Sequence, residues 1–121
     1  MNDLSTTELP YALLHKLRAA VVGEVGTGND LTLRQMAAVL IVYLTHDPQT
    51  VRDLARHLKV STTVISQTLN RLSKLGLVRR QVNPADHRSV FAVRTEAGRA
   101  MVARLKVSLA ADASGPDERS S

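Results

Sequence analysis

The chain has 121 residues, which is enough for one domain with a single hydrophobic core. Hydrophobic residues make up 44% of the sequence and aromatic residues only 2%, so the core must be packed mainly with aliphatic side chains. The absence of cysteine excludes disulfide bonds, thiolate metal sites and thiol redox sensing. No segment resembles a signal peptide, and the longest apolar run, residues 37–44, is too short to cross a bilayer. We therefore expect a cytoplasmic protein without a membrane partner.

The positive charge is confined to one segment of the chain. The formal net charge is +5 at pH 7. Between Arg52 and Arg94, nine lysines and arginines stand against two acidic residues, which leaves +7 in that segment and −2 in the rest of the chain. Solubility does not require this segregation, whereas binding to a nucleic acid favours it. The charge distribution therefore indicates a polyanionic partner.

The first predicted helix is amphipathic and is followed by a glycine-rich break. Residues 1–8 are polar, and we expect them to be a flexible N-terminus. Apolar residues recur at helical spacing over about 9–22. Gly23, Gly26 and Gly28 then predict a flexible linker. A second helix over about 33–44 is apolar on nearly all sides, which is typical of a buried helix, and it ends at a turn over 47–48.

Two further helices are predicted with only a short turn between them. Thr50 and Asp53 have the spacing of a capping box at the start of the third helix. Ser61 is the predicted N-cap of a fourth helix, which ends near Leu75 because Gly76 supplies a C-terminal stop. Two helices joined in this way form a helix-turn-helix unit, whose second helix can enter a major groove of DNA.

The predicted groove-facing side of the fourth helix has hydrogen-bonding side chains and no acidic ones. These residues are Thr62, Thr63, Ser66, Gln67, Asn70 and Arg71. Acidic residues are common on ordinary solvated helices and are repelled by phosphate, so their absence favours a DNA-contacting face. We predict that Ser66 and Gln67 contact bases, and that Arg71 and Arg80 contact phosphates.

A β-hairpin is predicted after the helices, with strands over 77–82 and 89–94 and a loop over 83–88. An arginine in such a loop can reach the minor groove, where the electrostatic potential is strongly negative. Asp86 lies two residues before Arg88 and can orient its guanidinium; the alternative is a surface ion pair of little energetic weight. A last helix follows over about 95–110, and the small, polar residues 111–121 predict a disordered tail.

Four stretches, in this order and with these gaps, resemble the MarR family of winged-helix regulators: residues 51–61, 70–80, 83–90 and 95–99. The resemblance covers roughly residues 31–102. It implies a mainly α fold of the α+β class, a winged helix-turn-helix with a two-stranded wing. In a single domain over 9–110, residues 33–94 would form the DNA-binding core, and residues 9–22 and 95–110 would form the dimerisation helices.

The resemblance also implies a function and residue roles. It implies a sequence-specific regulator of transcription, most often a repressor, that binds a palindromic operator in double-stranded DNA as a homodimer. Arg88 would enter the minor groove, Asp86 would orient it, and residues 62–67 would contact bases. Gln67 departs from the arginine often found there, and the last helix is short. Aromatic residues are scarce where relatives often build a pocket for phenolic ligands, so the sequence identifies no small-molecule effector.

Two other function classes are disfavoured by the sequence. A winged helix that docks only a protein partner is disfavoured by the +7 segment, and salt-dependent binding to duplex DNA would separate the two classes. For an enzyme, the histidines show neither metal-ligand spacing nor a nucleophile arrangement: they are His15, His46, His57 and His87. We therefore expect no catalysis, no metal site and no cofactor.

Overall fold

A computed structural model describes residues 2–111, with side chains from residue 8 onward. Within this range the helices are α1 (Asn2–Gly26), α2 (Leu33–Leu44), α3 (Val51–Leu58), α4 (Thr62–Lys74) and α5 (Glu96–Ala110). The strands are β1 (Gln49–Thr50), β2 (Val78–Asn83) and β3 (Asp86–Arg94). Two compact units divide the chain: one is Leu31–Val102, and the other comprises the chain ends, up to Asp30 and from Ala103. From residue 112, the predicted tail lies outside the described residues.

The sheet of the Leu31–Val102 unit has three antiparallel strands in the order β1-β3-β2. Gln49 and Thr50 of β1 pair with Ala92 and Phe91 of β3, on the edge opposite β2. The predicted mainly helical winged-helix fold is confirmed, but the sheet contains one strand more than the predicted hairpin. A strand of two residues is too short to show an alternating pattern, which explains why the sequence did not reveal it.

The core of this unit is formed by aliphatic side chains of the helix-turn-helix and of α2. Ile65, Leu69 and Leu72 are fully buried, which confirms the predicted stripe of α4, and Leu54 of α3 is equally buried. These side chains orient α4, because a helix that buries one face must expose the opposite one.

The second helix has the predicted bounds but is not buried on all sides. Ala38, Val39 and Val42 are buried, whereas Leu33 and Leu44 are 90% and 70% exposed. In this unit α2 lies against α3, α4 and β3. The apolar composition of α2 therefore predicts more burial than the structure shows, because these neighbours cover only part of the helix surface.

Local hydrogen bonds set the ends of α3 and α4. The predicted capping box of α3 is present: the Asp53 amide donates to Thr50 Oγ1 at 3.1 Å, and the Thr50 amide donates to Asp53 Oδ2 at 3.0 Å. The bond from the Thr50 amide, followed by that from the Arg56 guanidinium, lowers the pKa of the Asp53 carboxyl. Ser61 caps α4 as predicted, and Gly76 ends it with a φ of 77°.

A glycine at the start of α5 allows three elements to meet. Tyr43 Oη of α2 donates to the Leu77 carbonyl at 2.6 Å and accepts from the Thr95 amide at 2.9 Å. A Cβ atom on Gly98 would lie 1.7 Å from that Oη and 2.4 Å from the Leu77 carbonyl oxygen. Gly98 is therefore required sterically, because any side chain would displace the tyrosine and the backbone that it binds.

In the unit formed by the chain ends, α1 differs from the prediction in two ways. The helix begins at Asn2, so it includes most of the segment predicted to be flexible, and it continues through Gly23 and Gly26, which were predicted to lie in a linker. The polar N-terminal segment lacks the apolar periodicity that predicts an amphipathic helix, but a polar segment can still be helical. Each interior glycine lowers the stability of a helix by about 1 kcal/mol relative to alanine. The burial of Ala20 in the same helix helps to offset that loss. The helix ends at a turn in which Gly28 has a φ of 94°.

An ion pair with a buried carboxylate links α1 to α5 in the same unit. Glu24 is only 2% exposed, and its carboxylate accepts from Arg104 Nε at 2.8 Å and from Arg104 Nη2 at 2.9 Å. Asn29 Nδ2 donates to the same carboxylate at 3.0 Å. The hydrogen bonds from Arg104 lower the pKa of Glu24 below its ordinary value of 4.5, against the opposing effect of burial. The pair therefore stabilises the folded chain at neutral pH and loses this contribution as the pH falls below that value.

Candidate nucleic-acid interface

The recognition helix α4 presents its predicted contact residues on the side opposite its buried stripe. Ser66 is half-buried, and the other five are exposed: Thr62, Thr63, Gln67, Asn70 and Arg71. Three residues separate α3 from α4, and the first of them, Lys59, adopts a left-handed conformation with a φ of 57°. This short turn holds the two helices as the predicted helix-turn-helix unit.

Arg80 joins the recognition helix to the sheet. It lies on β2, and its Nη2 donates to the Ser66 carbonyl of α4 at 2.5 Å. A guanidinium has five N–H donors, so this bond leaves others for a phosphate, the role predicted for Arg80. The bond brings two of the predicted contact residues together and links the two elements that carry them.

The wing differs from the predicted hairpin in the length of its loop. β2 ends at Asn83 and β3 begins at Asp86, so only Pro84 and Ala85 form the turn. The loop predicted over 83–88 is therefore too long, and Arg88 belongs to β3. Asn83 Oδ1 accepts the Ala85 amide at 2.9 Å, and this local bond allows the strands to extend to a tight turn.

Asp86 contacts both the backbone and the side chain of Arg88. Its Oδ1 accepts the Arg88 amide at 3.1 Å and lies 3.5 Å from Arg88 Nε. The Arg88 side chain is 91% exposed, whereas that of Asp86 is 49% exposed. The wing thus projects a guanidinium into solvent while its neighbouring carboxylate is turned towards the chain that carries it.

Several basic residues of the +7 segment are already engaged by the protein. Arg94 Nε and Nη2 donate to the carbonyls of Val42 and Thr45, at the end of α2. Arg56 Nη2 lies 2.5 Å from Asp53 Oδ1. These arginines contribute to the electrostatic field, but their guanidinium donors are partly used within the structure. The +7 segment therefore contains arginines that bond within the protein as well as basic residues whose donors remain available to a ligand.

A cleft of about 220 Å³ lies between the start of α3, the start of α4 and the wing. Its lining comprises Thr50, Val51, Arg52, Thr62, Asp86, Arg88, Ser89 and Val90. It brings Thr62 of α4 together with Asp86 and Arg88 of the wing, and it adds Arg52 and Ser89, which sequence reasoning missed. The sequence does contain a signal for Arg52. It lies two residues after the Thr50 N-cap and has no acidic residue three or four positions away that could pair with it.

Comparison with protein-family models decides the family of the chain. The model of the MarR family matches residues 29–89, which is half of the sequence and includes the helix-turn-helix and the wing turn. The chain belongs to the MarR family. It therefore has the winged-helix fold of a DNA-binding transcriptional regulator, as its resemblance to that family implied. A comparison with curated protein sequences gave no match.

Solved structures share the MarR-type fold at low sequence identity. The transcriptional regulator Tm0710 from Thermotoga maritima has a TM-score of 0.69 and 19% identity, over 89% of this chain and 71% of its own. A mutant of MepR from S. aureus, bound to an oligodeoxyribonucleotide, has a TM-score of 0.67 and 20% identity, over 88% and 74%. RV1404 from Mycobacterium tuberculosis has a TM-score of 0.66 and 22% identity, over 90% and 74%.

The described part of this MarR-family chain was searched for metal-binding clusters and for membrane-spanning helices. Among residues 2–111, no three histidine or acidic side chains are grouped so that they could bind a metal ion. None of the helices described above has the length and apolar character needed to span a membrane.

Proposed function

We propose that this chain is a transcriptional repressor that binds a palindromic operator in duplex DNA as a homodimer. The observation that carries the proposal is the hydrogen bond from Arg80 to the Ser66 carbonyl. It connects the helix that fits a major groove to the hairpin whose exposed arginine fits a minor groove. Reading two adjacent grooves requires such a fixed relation between the two elements. MepR, bound to an oligodeoxyribonucleotide, provides a precedent for DNA binding by this fold.

The proposal assigns base contacts to the middle of the recognition helix. Gln67 is exposed on α4, and a glutamine can form two hydrogen bonds with the N6 and N7 atoms of adenine, which discriminate by about 1–3 kcal/mol. Ser66 would contact a neighbouring base, and Arg71 and Arg80 would hold phosphates. The protein would act in the cytoplasm with its DNA target, and neither catalysis nor a cofactor nor a small-molecule effector is part of the proposal.

Selection from a random pool of duplexes tests this function. We expect a roughly palindromic consensus with half-sites about 10 bp apart, or a multiple of that distance. Gln67→Ala should change the preferred base at one position of each half-site, whereas Arg71→Ala should weaken binding to every sequence and reduce its salt dependence. Addition of the chain should lower transcription in vitro from a promoter that overlaps the consensus. Weak binding that is indifferent to sequence would instead favour a protein-docking module.

The homodimer is proposed from an apolar face of α1 that the single chain leaves uncovered. Leu13, Leu17 and Val21 recur along this helix and are 49%, 47% and 41% exposed. In α5, Met101 and Leu105 are buried within the chain, whereas Leu109 is 42% exposed. A second copy of α1 would remove the exposed leucines from water, which is favourable in proportion to the apolar area buried.

Light scattering over a wide concentration range tests the dimer. We expect a dimer for the wild type and a shift towards monomer for Leu17→Glu. The dimer dissociation constant should rise about a hundredfold or more, because each copy loses the burial of one leucine, about 1.5–3 kcal/mol. Leu33→Glu is the matched control, since Leu33 lies at the start of α2 and is 90% exposed. A wild-type chain that stays monomeric at high concentration would reject the dimer.

A further inference from the structure

We infer that the cleft between α3, α4 and the wing is a binding site for one phosphodiester group of the DNA backbone, with Arg52 as its cation. The inference rests on the proposed function and assigns a role to a residue outside the predicted contact set. It depends on the position of the cleft between two DNA-contacting elements and on the charges that line it.

The position of the cleft follows from the geometry of a duplex. Each strand of DNA separates the major groove from the minor groove. If α4 occupies the major groove and the wing occupies the adjacent minor groove, the strand between these grooves must pass between α4 and the wing. Thr62 is the first residue of α4 and Ser89 lies in the wing, and both line the cleft. The cleft is therefore the gap through which that strand would pass.

The lining of the cleft leaves one cation free for a phosphate inside it. Arg52 is exposed and makes no ion pair with any residue that the structure describes. Arg88 also lines the cleft, but its side chain is 91% exposed and extends into solvent. Asp86 is the single acidic residue of the lining, and its Oδ1 already accepts the Arg88 amide. The hydroxyls of Thr62 and Ser89 add neutral donors of the kind that commonly contact DNA phosphates.

The same helix provides a matched control for the charge of Arg52. Arg56 lies one turn further along α3, where its guanidinium is paired with Asp53 at 2.5 Å. Replacing either arginine with alanine removes one positive charge from the protein. Only the Arg52 substitution removes a cation from the cleft, so a difference between the two variants measures a local contact rather than net charge.

The test is the salt dependence of binding to the selected operator and to an unrelated duplex of equal length. For Arg52→Ala, the slope of log K against log salt should fall in magnitude by about 2, because each copy in the dimer loses one phosphate contact, and affinity at 0.1 M salt should fall about tenfold or more on both duplexes. Arg56→Ala should change affinity by about twofold or less. A neutral methylphosphonate can replace each phosphate of the operator in turn. At one backbone position per half-site, it should weaken binding by the wild type and leave binding by Arg52→Ala unchanged.

Each outcome of this test decides the inference. Thermal unfolding should show equal midpoints for Arg52→Ala and the wild type, because Arg52 is exposed and forms no ion pair in the described structure. If the wild type binds the operator but Arg52→Ala behaves like Arg56→Ala, the phosphate site is wrong and the proposed function stands. If the wild type binds no duplex, both proposals are wrong.

Discussion

Replacing Gly98 with alanine should destabilise the Leu31–Val102 unit by about 3 kcal/mol or more. The new methyl group would lie 1.7 Å from Tyr43 Oη and 2.4 Å from the Leu77 carbonyl oxygen, so the tyrosine and the backbone at Leu77 must both move. That movement would break the bonds that Tyr43 makes to Leu77 and Thr95. The free energy of unfolding in urea measures the effect.

Gly23 is the control, because it is also a helical glycine but has no atom within 4 Å of the position of an added Cβ. Gly23→Ala should be neutral or should stabilise the chain by up to about 1 kcal/mol, as alanine normally does within a helix. Both substitutions add one methyl group to a helical glycine, but only Gly98→Ala should lower the free energy of unfolding. A Gly98→Ala variant as stable as the wild type would show that Tyr43 and Leu77 do not occupy these positions.

Loss of the wing guanidinium is expected to be the largest single effect on DNA binding. Arg88→Ala should weaken operator binding about 10–100-fold, the range for loss of a hydrogen bond that involves a charged group. The loss should be greatest where A·T pairs flank the half-sites, because their minor groove is narrow and strongly negative. Fluorescence anisotropy with A·T- and G·C-flanked operators measures both effects. Equal losses on the two operators would place Arg88 outside the minor groove.

Asp86→Ala separates two roles for the carboxylate beside Arg88. If Asp86 only repels phosphate, its removal should tighten binding. If it positions Arg88, as the 3.1 Å bond to the Arg88 amide suggests, removal should weaken binding although the protein becomes more positive. The double variant should then bind like Arg88→Ala, since the two residues act as one unit. Tighter binding by the single Asp86 variant would exclude the positioning role.

The elements that local sequence signals could predict are those whose ends are set by nearby residues. Thr50 and Asp53 are three residues apart and bond to each other, so the start of α3 follows from their spacing. The same holds for the Ser61 cap of α4 and for its stop at Gly76. The spacing of Thr32 and Gln35 carries the same signal for α2, and their capping box is present.

The features that could not be predicted depend on residues that are distant in sequence. Arg80 bonds to Ser66 fourteen positions earlier, and the space at Gly98 is filled by Tyr43, more than fifty positions earlier. A propensity for helix or strand contains no information about such neighbours. The length of α1 also depends on a distant residue: the glycines alone predict a break, whereas the ion pair of Glu24 with Arg104, eighty residues later, holds that part of the helix. The exposure of the α4 residues predicted to contact DNA follows from their helical spacing, whereas the cleft that contains Arg52 could not be predicted.

Thr50 belongs to two elements at once, and this has a thermodynamic consequence. Its backbone pairs with Phe91 in the sheet, while its side chain caps α3. Folding of the helix-turn-helix therefore also immobilises the base of the wing. Fixing a residue costs about 1–2 kcal/mol of conformational entropy, and here that cost is met during folding. DNA binding would then need to order only the exposed side chains of the wing, so more of the contact energy remains as affinity.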